Sequence, residues 1–345
     1  MINYIYDRPG MCPTGDGKPV TSFGIHRIPS FRYRNMQISP FDSSGLEGGD
    51  NVRMWKDMLD QEIRKNNALE VKDWFHTIVY CISAEAGRID SFEEGFVSDI
   101  VNSGNKVIFA LTKSDTVSED RRQILKKIIA EKFGSHSVVE ICNVEKRMRG
   151  GRSVSPFGRE DMLRTICRNF RSNLIFKVIR LEEQRMDSAI SDFHRSVMRD
   201  FDGSVSFFTS FDDEFKAERE NFFRRQYKLL VMNILDRLRD QINEIDRMTR
   251  DVLENYCNIS FDDYSCSFKI DEILNFSRWN TAGGFWHSVS SPFRRSTEYR
   301  SIIAGELIKV KADFRERMKI VFADIRSNSE ENRNRTDYLL GYKGG

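Results

Sequence analysis

Asp42-Ser43-Ser44-Gly45 follows an extended, strand-like run at residues 36–41. A carboxylate at a strand end can hold Mg2+ through water, and a glycine beside it lets a backbone N–H approach a terminal phosphate. Thr112-Lys113-Ser114-Asp115 directly follows the apolar run KVIFAL at residues 106–111. An aspartate in that place can accept from both N1–H and the exocyclic amine of guanine, while the lysine stem covers a ring face. Adenine presents the wrong donors, so this second stretch would carry base choice. Thr21, in GKPVT ahead of the first run, has a hydroxyl suited to Mg2+ and an N–H suited to a γ-phosphate. Asn143, in Ile141-Cys142-Asn143, ends a further short run, where a backbone N–H can meet the base carbonyl.

These residues need a sheet with helices between its strands to bring strand ends together. The pattern predicts a short helix at residues 2–6, strands at 22–29 and 34–41, and a charged helix at 52–65. The β-branched and aromatic run WFHTIVYCIS at 74–83 reads as a buried strand. Helices are expected at 91–101, 119–133 and 159–173, with strands at 106–111 and 138–142. Beyond residue 172 the pattern becomes long, charged and helical, with a turn signal at Asp202-Gly203, a polar break at 258–267 and a final helix from 297 to about 325. The Phe-rich stretches at 204–211 and 215–223 are expected to pack helices together.

The order Thr21, Asp42 to Gly45, Thr112 to Asp115, then Asn143 resembles the second to fifth sequence elements of P-loop GTPases of the translation-factor, Era-like and dynamin-like kind. The helical second half brings the dynamin-like group that includes labile enterotoxin output A nearest in character. The resemblance covers roughly residues 1–170. It implies an α/β fold, a Ras-like GTPase domain at 1–171, a helical stalk-like domain at 172–330 and a flexible tail at 331–345. It further implies GTP or GDP held with Mg2+ by Thr21, Asp42, Gly45, Thr112, Lys113, Asp115 and Asn143, with Thr21 and Asp42 at the metal. Hydrolysis would drive a change passed into the helices, and the helical region could serve self-association. TKSD departs from the commoner NKxD, and DSSG from DTPG. The phosphate-binding GxxxxGK[ST] occurs nowhere, and the Gly10 to Lys18 stretch has the wrong spacing, with Pro19 in the Ser/Thr position. The domain is therefore expected to lack its first strand and P-loop, with residues 2–5 matching the helix that follows that loop. A misplaced start, a fragment and a scaffold working without nucleotide all remain open, and the chain as it stands is expected to bind GTP weakly. The rival to a GTP hydrolase is a non-enzymatic interaction scaffold on a degenerate GTPase fold. No catalytic residue is assigned: Leu46 stands where some GTPases carry a water-positioning glutamine, and Glu47 lies beside it.

Composition narrows the remaining choices. The 345 residues are 39% hydrophobic and 31% charged with a net charge of +2, which gives no global pull toward nucleic acid. No apolar run approaches the ~20 residues of a membrane span, and the six scattered cysteines form no CxxC pair, so a reduced cytoplasmic setting is expected. The five histidines show no metal-ligand spacing. Between two predicted helices, Trp279, Phe285, Trp286 and Phe293 cluster beside Gly283-Gly284 and run into Arg294 and Arg295. Amphipathic rings with a basic edge suit a peripheral contact with an anionic membrane, and inward packing in a helix hairpin is the alternative.

Overall fold

The structure, a computed structural model, describes residues 1–8, 10, 12, 24–33, 36–43, 51–134, 136–147, 153–206, 209–257 and 296–339. Helix α1 (Ile2–Tyr6) comes first and ends on Asp7 in the left-handed region. Strand β1 (Ile25–Arg27) pairs antiparallel with β4 (Phe41–Ser43), and β2 (Phe31–Tyr33) with β3 (Met36–Ile38). Ile28 still donates to the Pro40 carbonyl, and Phe31 then stands opposite Ile38. The first arm thus places Pro29 and Ser30 where the second places Ser39 alone. This extra residue falls at a proline that has no N–H to donate, so two expected strands become a hairpin in two halves.

Helix α2 (Asn51–Asn67) leads to strand β5 (Ile78–Ser83), helix α3 (Ser91–Asn102), strand β6 (Val107–Thr112), helix α4 (Glu119–Phe133) and strand β7 (Ser137–Ile141). The three strands form a parallel sheet in the order β5-β6-β7, with Ile78 opposite Val107 and Ile108 opposite Ser137. Parallel strands need helical crossovers, and α3 and α4 supply them. Strand periodicity then sorts β6 onto two faces. Val107, Phe109 and Leu111 join Ile82, Trp55 and Ile63 of α2, Phe96 and Ile100 of α3, and Leu125 and Ile129 of α4 in one core. Ile108 and Ala110 join Val139, Ile141 and Met162 in the other, against Met1, Tyr4 and Ile5 of α1. Burial on both faces explains why β6 reads as an unbroken apolar run. Each large side chain so buried stabilises by roughly 1.5–3 kcal/mol. Helix α3 opens on a capping box between Asp90 and Glu93.

A short pair, β8 (Lys146–Arg147) with β9 (Ser153–Val154), precedes three long helices: α5 (Arg159–Ser204), α6 (Asp213–Cys257) and α7 (Ser296–Leu339). The expected helix at 159–173 is the start of α5, which runs 46 residues because its first Gly or Pro is Gly203. Helix α7 continues to Leu339, past the expected end near residue 325, since its polar last turns contain no Gly or Pro.

The chain divides into two compact units. One comprises Met1–Lys177, Glu244–Tyr264 and Ser329–Gly345, the other Val178–Asn243 and Ser265–Asn328. Within the first, buried Arg171 pairs with Asp246 at 2.7 Å. The second is helical, with buried stripes at helical spacing. Ile190, Phe193, Val197 and Phe201 lie on α5; Tyr227, Val231, Ile234 and Leu238 on α6; Ile303, Leu307, Phe314 and Met318 on α7. Phe211 stacks on Tyr299 at 4.1 Å and Phe193 meets Phe223 edge-on, so Phe211 and Phe223 of the Phe-rich stretches serve helix packing. No helix among the described residues is long and apolar enough to cross a membrane.

Candidate functional site

The carboxyl ends of β5, β6 and β7 lie along one edge, where open parallel sheets place ligands. A single short turn of helix follows β5 at Ala84–Ala86 and β6 at Ser114–Thr116, and Cys142, bridged to Phe157, leads to Asn143 after β7. The structure therefore brings Thr112, Lys113, Asp115 and Asn143 to strand ends on one edge.

The turn after β6 is tightly tied. Thr112 Oγ1 donates to the Ile82 carbonyl at 3.2 Å, bridging the two strand ends. Lys113 has φ 56°, a left-handed conformation uncommon for a residue with a side chain. Such a backbone persists only when its surroundings hold it. The holding groups are specific. Ser114, fully buried, donates to the Leu111 carbonyl at 2.7 Å, and Thr116 Oγ1 donates to the Lys113 carbonyl at 2.8 Å. Arg122, one turn into α4, donates at 2.9 Å to the carbonyls of both Ser114 and Val117. Its guanidinium is held in turn by Glu140 of β7 at 2.9 Å and by Glu119. Lys113 Nζ reaches Glu85 on the β5 turn at 2.9 Å, both groups half exposed. The lysine stem therefore spans the ends of β5 and β6.

The end of β7 is fixed by a close backbone approach. Cys142 and Phe157 exchange N–H···O bonds of 3.1 and 2.9 Å. The next residue, Gly158, has φ +94° and lies so near β7 that a Cβ there would sit 2.0 Å from the Glu140 carbonyl oxygen. Only glycine fits, and α5 begins directly after it.

Asp42 is placed differently from its expected strand end. It lies inside β4 opposite His26, in the antiparallel pair, whose ladder does not extend to β5 among the described residues. Its surroundings include Cys12, whose thiol is raised first by burial and then by Asp42, against the opposing N-terminal ammonium. Asn3 clamps Cys12 by both backbone groups, at 2.6 and 2.8 Å. Thr21, Gly45, Leu46 and Glu47 lie outside the described residues, as do Trp279, Phe285, Trp286, Phe293, Arg294 and Arg295. Among the described residues no group of three or more His, Cys, Asp or Glu side chains converges for a metal ion.

Glu85, Arg122, Glu140 and Gly158 were not singled out by sequence. Glu85 and Lys113 are 28 positions apart, and nothing in either local stretch signals the pair. Gly158 stands just ahead of the expected helix at 159–173, and nothing in the local sequence signals its close approach to β7. No family model, curated protein or solved structure matches the chain.

Proposed function

We propose that the carboxyl edge of this parallel sheet binds a guanine nucleotide, and that the α/β unit is a Ras-like GTPase domain of dynamin-like build. The observation that carries the reading is the turn after β6, which combines a left-handed Lys113 with Asp115 inside a hydrogen-bonded loop at the end of a parallel strand. Asp115 would accept from N1–H and the exocyclic amine of guanine, and the Lys113 stem would lie along a ring face. Thr112 and Ser114 hold the turn rather than touch the ligand, because their hydroxyls are spent on the Ile82 and Leu111 carbonyls. Asn143, just after β7, would offer its N–H to the base carbonyl.

A metal would enter with the phosphates. Asp42, a single carboxylate on β4, would suit a hard cation that keeps waters and takes phosphate oxygens, as Mg2+ does, since such a site needs no all-protein cage, and the Thr21 hydroxyl is the further ligand that the family resemblance implies. Bound there, Mg2+ would neutralise phosphate charge. Asp42 opposite His26 in a ladder also suits the second reading, a scaffold on the same fold that performs no hydrolysis.

Base choice tests the proposal. In saturation-transfer NMR at millimolar nucleotide, Asp115→Asn should move preference from guanine toward xanthine. Mismatching one of the paired bonds costs roughly 1–3 kcal/mol, a factor of about 5 to 150. An unchanged order of GDP over XDP would reject the assignment of Asp115.

A further inference from the structure

Lysine is almost never fully buried without an ion partner, yet Lys177 of α5 is only 2% exposed. Its Nζ donates to the Phe75 carbonyl at 3.3 Å and lies 5.1 Å over the ring of buried Trp74. The neighbouring residue of the same segment, His76, is part of the same nest. Its Nε2 meets the Val71 carbonyl at 3.2 Å and its ring stands edge-on to Phe170, two turns before Lys177 on α5. The side-chain nitrogen of Asn173, one turn before Lys177, is buried without a hydrogen-bond partner, as is the Thr77 hydroxyl. All of these residues belong to the first compact unit.

The charges around this nest do not compensate it. On the segment leading into β5, Asp73 acts on His76, and Lys72 pairs with Glu70. On α6, Glu244 acts on Lys72 and pairs with Arg247, while Asp246 pairs with Arg171 of α5. Lys106, before β6, lies over the Phe176 ring. Among the described residues no carboxylate offsets the desolvation of Lys177, and burial alone brings its ammonium down to about 7. Burial also lowers His76, and Lys177 lowers it further against the opposing Val71 bond and Asp73.

We propose that Lys177, with His76 beside it, is a protonation-sensitive latch: as neutral groups they seat the segment leading into β5 on α5, and protonation releases it. The sign follows from which state holds the proton. Once the segment lifts, the Lys177 amine meets water and regains its ordinary value of 10.5, whereas in the closed nest it titrates near 7. Between those values opening takes up a proton, so closure strengthens as pH rises from about 7 and is weakest below it. His76 adds a second loss of closure as pH falls through its own lowered range. The latch does not depend on the nucleotide reading.

Hydrogen exchange on the full chain reads the latch directly. The Trp74 and Asp73 amides donate to the Val71 and Glu70 carbonyls, and the Phe75 amide to the Asn66 side chain, so all three report closure. Their protection factors, already corrected for intrinsic exchange, should rise about fivefold between about pH 7 and about pH 8, short of the tenfold of a full proton because the closed-state lysine is itself half protonated at pH 7. In Lys177→Met the rise should vanish, with protection at pH 7 at least equal to that of the wild type at pH 8. A flat wild-type profile, or the same rise in Lys177→Met, would overturn the latch. Should that variant not fold, 5-fluorotryptophan at Trp74 in the wild type gives the second reading. A fluorine shift with a midpoint near 7 supports the latch, and no titration between about pH 6 and pH 9 rejects it.

Discussion

Replacing Gly158 by alanine tests how the end of β7 is built. A Cβ at this position would lie 2.0 Å from the Glu140 carbonyl oxygen and 3.0 Å from its carbon, both backbone atoms of β7, which pairs with β6. An ordinary contact of this kind is ~3.4 Å, so one chain must move by more than an ångström. The Glu140 peptide cannot yield easily, because its residue sits opposite Leu111 in the sheet. The segment at 157–159 must therefore lift, which breaks the 3.1 and 2.9 Å bonds between Cys142 and Phe157. Each lost bond costs about 1 kcal/mol net, and more where a buried group is stranded. The left-handed backbone, at φ +94°, adds about 1 kcal/mol or more for any side chain. The sum is roughly 3–5 kcal/mol, a large share of the ~5–15 kcal/mol that holds a domain together. Urea unfolding of the full chain would measure it, with the lower midpoint arising at an unchanged slope. An alanine variant within about 1 kcal/mol of wild type would refute the close approach and with it the fixed end of β7.

Other substitutions probe separate parts of the structure. Arg122→Gln should strip protection from the 114–117 amides in hydrogen exchange and cost roughly 1–3 kcal/mol, because two turn carbonyls and Glu140 lose a shared partner. An unchanged exchange pattern would show that the turn stands without it. In the helical unit Glu182 is fully buried and takes two 2.7 Å bonds from Arg237 and one of 2.9 Å from Arg185. Glu182→Ala should cost roughly 1–3 kcal/mol by removing those charge-assisted bonds, since both arginines are part-exposed and can turn to water; an unchanged urea midpoint would contradict it. Lys177→Met should raise stability at pH 7 by up to roughly 5 kcal/mol, the drop from 10.5 to about 7 at about 1.4 kcal/mol per tenfold. That gain should shrink as pH climbs toward the unfolded value, and a constant gain across pH in urea melts would speak against a neutral lysine.

What could be read from sequence follows the range of the interactions involved. β6 is legible because burial on both faces leaves an unbroken apolar run, and α4 because its apolar residues recur at helical spacing over 119–133. The hairpin's division was not legible, since Pro29 alone does not tell a strand end from an extra residue within a strand. The length of α5 was underestimated because a change in composition near residue 172 was read as a break, although no Gly or Pro interrupts the helix there. At the candidate site, the types and spacing of Thr112 to Asp115 were readable as one local stretch. The groups that shape it, Glu85, Arg122, Glu140 and Gly158, act across the fold, and their pairing has no local signature. Lys177 is the sharpest case: on a charged helix it reads as a solvated lysine, and only the packing of Trp74 over it reveals otherwise.

The central claim is that the ends of β5, β6 and β7 form a guanine site, and amide chemical-shift mapping with millimolar nucleotides tests it most directly. GDP should shift resonances of residues 84–86, 112–116 and 142–143 together, ADP should leave them unmoved, and Asp115→Ala should abolish the GDP response. Equal shifts with GDP and ADP, or GDP shifts confined to residues away from this edge, would contradict it.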